Sequence, residues 1–258
     1  IGKYTAQYLE AYKDTEYGVY MISQRDAGWE KADFSKYDTL LHVTGIAHVD
    51  EGKITEEQEK QYFDINYRLA VRTAKKAKRE GIRQFIFCSS ILVYGGEYTL
   101  KNGLQIHKNM QPAPTNIYGE SKWQAEQALM NLEDENFKVV ILRIPFVYGP
   151  GSKGNYVLLS KWAGKLPIFT TILGAKSVIY IENLSECIRL LIEQENRGIF
   201  FPQNRTYASS AEFVAQIRKA HGKKLCQCSF LNPFVRLAAC LPGRIGKVFR
   251  KVFGTVIY

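Results

Sequence analysis

The sequence predicts an α/β fold, a doubly wound parallel sheet with a smaller lobe toward the C-terminus. Two observations lead there. Four short runs, "GVYMIS" (18–23), "TLLHVTG" (39–45), "QFIFCSS" (84–90) and "KVVILRI" (138–144), are nearly all apolar and contain β-branched residues. Strands buried on both faces of a parallel sheet read this way. Helix-like stretches lie between the runs, and strand–helix–strand repetition argues for a doubly wound architecture. The chain has no internal repeat and no low-complexity linker.

Taken in order, the opening "IGKYTAQYLEAY" reads as an amphipathic helix and not as a secretory signal. There is no initiator Met, so the start is expected to be clipped. After the 18–23 strand, "QRDAGWEKADFSKYDTLLHV" (24–43) has little room for a crossover helix. Either residues are missing there or the connection is tight. The long stretch 54–81 reads as a helix closed by Gly81. The stretch 117–133 reads as another, with Thr115 or Asn116 as N-cap. After about residue 150 the pattern loosens. Residues 157–169 read as a helix with an exit loop, 176–194 as strand, turn and helix, and 209–222 as a helix capped by Ser209 or Ser210. Residues 1–150 are therefore expected to form the main domain and 151–258 mostly the lobe, with 176–194 partly returning to the main domain.

The chain has 258 residues, 46% hydrophobic and 23% charged, enough for one globular unit with an ample core. No apolar run approaches the roughly 20 residues a membrane span needs. The cysteines, at 88, 187, 226, 228 and 240, are scattered and odd in number, which suggests a reducing compartment and so the cytoplasm. The histidines form no ligand cluster, and no metal site is expected. A net charge of +10 points to nucleic acid, a membrane surface or anionic small substrates. The basic run at 70–81 reads as a solvated helix face. The denser "GRIGKVFRKVFG" (243–254) has three readings: a solvated amphipathic helix, a contact for substrate phosphate, or a membrane-surface helix. No nucleic-acid partner and no stable membrane insertion are expected.

One pair of side chains stands out chemically. In "TNIYGESKWQAEQAL" (115–129), Tyr118 and Lys122 are four positions apart at the start of a predicted helix. At that spacing they share a face, roughly 5–6 Å apart at Cβ. An ammonium held there favours the phenolate of a tyrosine, whose ordinary pKa of about 10 makes it a poor base at neutral pH. The same spacing also arises in surface helices, so the surroundings decide its meaning.

Those surroundings carry a pattern. "FIFCSSILVYG" (85–95) is a predicted strand ending in two serines, and "LRIPFVYGPG" (142–151) is another with a Gly-Pro-Gly exit. The order strand–SS–x–x–VYG, then YxxxK, then LRxxxVYGPG resembles the extended short-chain dehydrogenase/reductase family. More narrowly it is similar to the NAD-dependent sugar-nucleotide epimerase/dehydratase branch, the UDP-glucose 4-epimerase-like proteins. The likeness covers nearly the whole chain. YxxxK alone is a weak signal; three motifs in order are a strong one. The resemblance implies a Rossmann-type domain with a C-terminal substrate-binding lobe. Family members open with a strand and a GxxGxxG turn that sets backbone amides against a pyrophosphate at a helix N-terminus. Gly2 matches the third glycine. The first strand and two glycines are not in this sequence, so it is expected to omit residues of the whole protein.

The resemblance also implies roles. Ser90, Tyr118 and Lys122 match the catalytic triad, with Ser89 the nearby alternative serine and a cofactor contact. Tyr118 acts as base, Ser90 bonds the substrate hydroxyl, and Lys122 holds the nicotinamide ribose. Asn66 matches the asparagine on the helix beside the site, although Leu69-Ala70 replaces the usual Gly-Thr. Thr44, Gly45 and Pro145 pass close to the cofactor, and Asp33 matches the acid near the adenine. His48 faces the substrate or makes a structural loop bond; Ile91 lies beside the substrate, and Asn155 meets its diphosphate. Asp26 suits NAD, whereas Ser23 with Arg25 suits the 2′-phosphate of NADP, and NAD is favoured.

Dehydratases of this branch carry Thr-Asp-Glu where this chain has Ser90, Ile91 and Leu92. Two aliphatic side chains cannot move the protons that loss of water requires. The resemblance therefore implies a nucleotide-diphospho-sugar epimerase, at C4, with a 4-keto intermediate. Phe146, where many epimerases have Asn, leaves the sugar open. The alternatives are an NADPH-dependent 4-keto-sugar-nucleotide reductase and a non-catalytic cofactor-binding protein on the same fold. A homodimer pairing through helices 54–80 and 117–132, and a place in cell-surface polysaccharide precursor synthesis, complete what the family implies.

Overall fold

The computed structural model describes residues 1–13, 17–25, 27–47, 54–95, 100, 103–152, 160–161, 163, 165–172 and 174–258. In chain order the helices are α1 (Gly2–Glu10), α2 (Glu56–Tyr62), a π turn (Phe63–Arg68), α3 (Leu69–Arg79), α4 (Ile117–Met130), α5 (Ile181–Glu193), α6 (Ser210–Ala220), α7 (Asn232–Cys240) and α8 (Gly243–Phe253). The strands are β1 (Thr39–His42), β2 (Gln84–Ser90), β3 (Leu104–Gln105), β4 (Lys138–Ile144), β5 (Phe146–Tyr148), β6 (Ile168–Thr170), β7 (Val178–Tyr180), β8 (Gly198–Phe200), β9 (Cys226–Cys228) and β10 (Val256–Ile257). Of the predicted 157–169 helix, residues 160, 161 and 163 are helical, and the others before 165 lie outside the described residues.

The chain divides into two compact units. The first, Ile1–Gly95, Pro112–Pro145 and Ile179–Pro202, holds a four-stranded parallel sheet in the order β1-β2-β4-β8. This is an α/β fold of the Rossmann type. Every residue of β2 is buried, because helices and loops cover both faces. One face packs Phe85, Phe87, Val139 and Ile141 against Ala70, Ala74 and Ala77 of α3 and Ala125 and Leu129 of α4. Small residues on the helices let them lie close to large ones on the strands, as dense packing requires. Elsewhere in this unit α1 and α5 are joined by a Thr5–Ser185 hydroxyl contact at 3.0 Å and by Tyr8 donating to Glu186 at 2.9 Å.

The predicted strand at 18–23 does not form: among the described residues Gly18–Ser23 joins no strand pair, and Tyr20 and Met21 are 70% and 66% exposed. An apolar run becomes an interior strand only between hydrogen-bonding neighbours with cover on both faces. Here the described sheet ends at β1. Among the described residues of 24–43, the 3-10 turn Ala27–Lys31 is the helical element before β1.

The second unit is Gly96–Gln111, Phe146–Val178 and Gln203–Tyr258. It contains two short parallel pairs, β6 with β9 and β3 with β10, and a small core of Ala163, Val214 and Ile217. Its α6 begins with a capping box, in which Ser209 and Glu212 each satisfy the other's backbone N–H.

Candidate active site

The carboxyl ends of β1 and β2 and the first turns of α4 supply the candidate site, all within the first unit. Asn116 caps α4, its Oδ1 accepting from the Gly119 N–H at 2.9 Å. That cap fixes where Tyr118 and Lys122 fall. Ser90 ends β2 and caps the 3-10 turn Ile91–Tyr94 that follows. A Cβ on Gly119 would overlap the Leu92 carbonyl oxygen of that turn. Gly119 is thus what lets α4 lie directly on the turn and brings Tyr118 to Ser90. Ser90 is the polar neighbour that favours the Tyr118 phenolate, and the Tyr118 ring is buried.

Burial pushes the Tyr118 phenol up to about 12, partly offset by the polar Ser90 beside it; Cys88 and Tyr62 push it further up. Lys122 is also buried, and burial brings its ammonium down to about 8. Its Nζ donates to the Cys88 carbonyl at 2.9 Å and stands 4.5 Å over the Phe87 ring. A phenolate stabilised by Lys122 is the expectation from spacing. In the structure the phenol is instead held neutral, because desolvation outweighs the polar neighbours and the ammonium is directed to a carbonyl.

Asn66 is fully buried in the π turn, a helical irregularity frequent at functional sites. Its Oδ1 accepts from Ile46 N–H at 2.9 Å, while Nδ2 donates to Ile46 carbonyl at 3.0 Å and to Ser121 Oγ at 3.1 Å. The loop after β1 is thereby tied to α4. Gly45 in that loop is exposed, and a Cβ there would stand 2.9 Å from Asn66 Oδ1 and 3.1 Å from Lys122 Nζ. Thr44, its neighbour, is half-buried. Gly2 opens α1, where a Cβ would meet the Val43 side chain at 2.8 Å. Pro145 is buried at the exit of β4, and Ile91 is buried in the turn after Ser90.

Other candidates are not brought to Tyr118. Ser89, one residue before Ser90, points to the opposite side of β2 and donates to Glu126. Asp33 is exposed, its carboxylate accepting from the N–H and hydroxyl of Ser35 at 3.0 and 2.6 Å in an Asx turn; these bonds hold it below the usual carboxylate range. Arg25 is exposed, its N–H 3.4 Å from Ser23 Oγ. Asp26, His48 and Asn155 lie outside the described residues.

Sequence reasoning missed a buried polar group beside the site. Glu126 accepts from Arg143 Nη2 at 2.7 Å and Nε at 3.0 Å, and Arg143 also donates to Tyr94. The Arg143 guanidinium lies against the rings of Tyr94, Trp123 and Phe201. Two signals were present: Glu126 is one turn beyond Lys122, and Arg143 interrupts an otherwise apolar strand. His42, also missed, is buried at the end of β1 between Phe85 and Phe87, and burial lowers its pKa to about 3. Among the described residues no group of His, Cys, Asp and Glu converges as metal ligands.

A parallel α/β sheet with a serine beside a buried tyrosine at its carboxyl edge, and a buried lysine one helical turn on, defines a class of dinucleotide-fold proteins. The chain belongs to the NAD dependent epimerase/dehydratase family, whose sequence model matches residues 2–201. It is 32% identical over 221 residues to UDP-glucose 4-epimerase of Vibrio cholerae, covering 83% of this chain and 63% of the relative. It is 28% identical over 196 residues to N-acetyl-α-D-glucosaminyl-diphospho-ditrans,octacis-undecaprenol 4-epimerase of Escherichia coli O157:H7, covering 73% of this chain and 56% of the relative. The chain thus spans less than two thirds of the length of either. Among solved structures, RMD from Pseudomonas aeruginosa complexed with NADPH shares the fold, with a TM-score of 0.70 at 17% identity over 88% of this chain and 83% of that one.

Proposed function

We infer that the protein is a nucleotide-diphospho-sugar epimerase acting at C4. The observation that carries the reading is the convergence of Ser90, Tyr118 and the buried Lys122 at the sheet's carboxyl edge. The family is NAD dependent, and the residues present fit a dinucleotide. Gly45 leaves room above Lys122 Nζ and Asn66, and α1 starts at Gly2 without a side-chain cap or an acidic residue in its first turn. Lys122, Thr44, Gly45, Asn66 and Pro145 would hold the nicotinamide half, and Gly2 the pyrophosphate. Bound NAD supplies a hydride acceptor that can return the hydride.

In this reading Ser90 Oγ orients the C4 hydroxyl, and Tyr118 Oη, as the phenolate, takes its proton. A bound positive charge and a sugar hydroxyl replace the desolvated surroundings that keep the phenol near 12. The proton returns from Tyr118 after the 4-keto sugar has presented its other face, so no net redox partner is used. Ile91 and Leu92 supply no acid–base group, which argues against loss of water. The protein works as a cytoplasmic homodimer in polysaccharide precursor synthesis. The E. coli relative's name adds a lipid-linked sugar diphosphate as a substrate class beside UDP-sugars.

The test is to incubate the purified gene product with UDP-hexoses and UDP-N-acetylhexosamines and follow the anomeric proton signals. Interconversion of C4 epimers without consumption of added cofactor is expected. Steady oxidation of NADPH with a 4-keto sugar nucleotide would replace this reading with the reductase, which the exposed Arg25 beside Ser23 favours.

A further inference from the structure

The charge of this protein is not spread along it. After Glu212 the sequence contains nine of its 35 basic residues and none of its 25 acidic ones. The last 46 residues therefore carry nearly the whole net charge of +10, and the 212 before them are close to neutral. That segment ends in α7 and α8, which pack on each other in the second unit. A Cβ on Gly246 would overlap the Leu241 carbonyl oxygen, so the glycine is what lets α8 fold back tightly on the end of α7. Arg250 Nη1 donates to the Ala239 carbonyl at 2.6 Å and closes the elbow.

The helix pair is firmly seated on one side. Lys176 Nζ donates to the Lys251 and Val252 carbonyls at 2.7 and 2.8 Å, satisfying the C-terminal end of α8. Phe253 is buried and stands 5.6 Å from Phe169. The other side is apolar and open. Phe230, Phe234 and Leu237 are 63%, 64% and 66% exposed, and Leu241, Ile245 and Val248 extend the apolar surface along α8. Arg236, Arg244, Lys247 and Lys251, all exposed, sit among them. Scattered exposed apolar residues need no explanation; a set on one helical elbow, interleaved only with cations, does.

We propose that the α7–α8 elbow is a docking surface for an anionic phospholipid membrane, held at the interface without crossing it. Phe230, Phe234, Leu237 and Ile245 enter the headgroup region, and the basic residues meet lipid phosphates. The chemistry is that of an interfacial amphipathic helix: an apolar face for shallow burial and a cationic face for negative lipid. No helix among the described residues is long and apolar enough to cross a membrane. The inference stands on charge and exposure and does not require the epimerase reading.

The test is co-sedimentation of the full gene product with vesicles of phosphatidylcholine alone and of equimolar phosphatidylcholine and phosphatidylglycerol. Binding to the mixed vesicles is expected, at least tenfold stronger than to the neutral ones. It should weaken as salt shortens the Debye length from about 10 Å to about 3 Å. Lys247→Glu with Lys251→Glu should lower it at least tenfold, at about fivefold per charge near the surface. Phe234→Ser with Leu237→Ser should lower it comparably while the unfolding midpoint stays in place. Sedimentation with neither vesicle overturns the proposal, as does binding that ignores the apolar pair. Conversion of a dimer to monomer by that pair, or preferential capture by duplex DNA, would assign the face to a second copy or to nucleic acid and equally overturn it.

Discussion

Arg143 and Glu126 form a buried ion pair, Nη2 to Oε2 at 2.7 Å, with side chains 4% and 1% exposed. The pair joins β4 to α4, and through Ser89 it reaches β2 as well. Burial pushes the Glu126 carboxyl up, and Arg143 opposes that shift. Removing one partner strands a charge in the interior. Glu126→Gln or Arg143→Met alone should cost about 3–5 kcal/mol in urea unfolding, whereas replacing both with apolar residues of similar volume should cost much less. Equal loss from the single and double variants would show that the pair acts by packing alone.

Activity should depend on Tyr118 and Lys122 in separable ways. Tyr118→Phe keeps the ring and removes the proton acceptor. Turnover should fall about 10²–10⁴-fold with the thermal midpoint unchanged. Lys122, lowered to about 8 by burial, loses its proton as pH rises through that value. If its charge serves binding or proton transfer, kcat/KM should fall on the alkaline side with a midpoint near 8. Lys122→Arg should carry that limb out of range. A profile flat up to the ordinary lysine range of about 10 removes the charge from the mechanism.

Much of this site was legible because its parts are local. Ser90 ends an unbroken apolar run, and Tyr118 and Lys122 share a face at a spacing set by helix geometry. Asn116 is a cap residue at a helix start. What could not be read depends on distant partners. The run at Gly18–Ser23 has the composition of an interior strand, but pairing is decided by neighbours, and the described sheet offers none beyond β1. The π turn at Phe63–Arg68 leaves the 3.6-residue period almost intact, so nothing flags it. Glu126 on a helix with polar neighbours reads as solvated; only its strand partner Arg143 buries it.

His42 sets the acid limit of stability. Its folded pKa is about 3, against 6.5 for the ordinary group. Between those values the unfolded chain binds a proton that the folded chain refuses. Stability therefore rises with pH through this window, is complete above it, and falls as pH drops, by about 1.4 kcal/mol per unit at its steepest. Nε2 has no hydrogen-bond partner among the described residues, so an apolar replacement removes an unsatisfied polar atom as well. His42→Leu should flatten the urea midpoint's dependence on pH below 6.5. An unchanged slope would place the acid sensitivity in other groups.

Gly119 offers the most direct link between packing and activity. Its Cβ position is occupied by the Leu92 carbonyl oxygen, a backbone atom that cannot rotate away as a side chain can. Gly119→Ala must therefore move α4, the 3-10 turn or both, at about 1–3 kcal/mol. Because Tyr118 rides on one element and Ser90 caps the other, that movement separates the two hydroxyls. A misplacement of about 1 Å is worth about 10²-fold in rate. The variant should thus lose more activity than its modest loss of stability explains, even where the folded fraction stays near one. Gly18→Ala is the control, since among the described residues its Cβ would meet only the Tyr20 ring, at 3.9 Å; both stability and turnover should be unchanged. Near-normal turnover in Gly119→Ala would mean that the placement of Tyr118 beside Ser90 tolerates displacement, and the reading that rests on that placement would lose its geometric support.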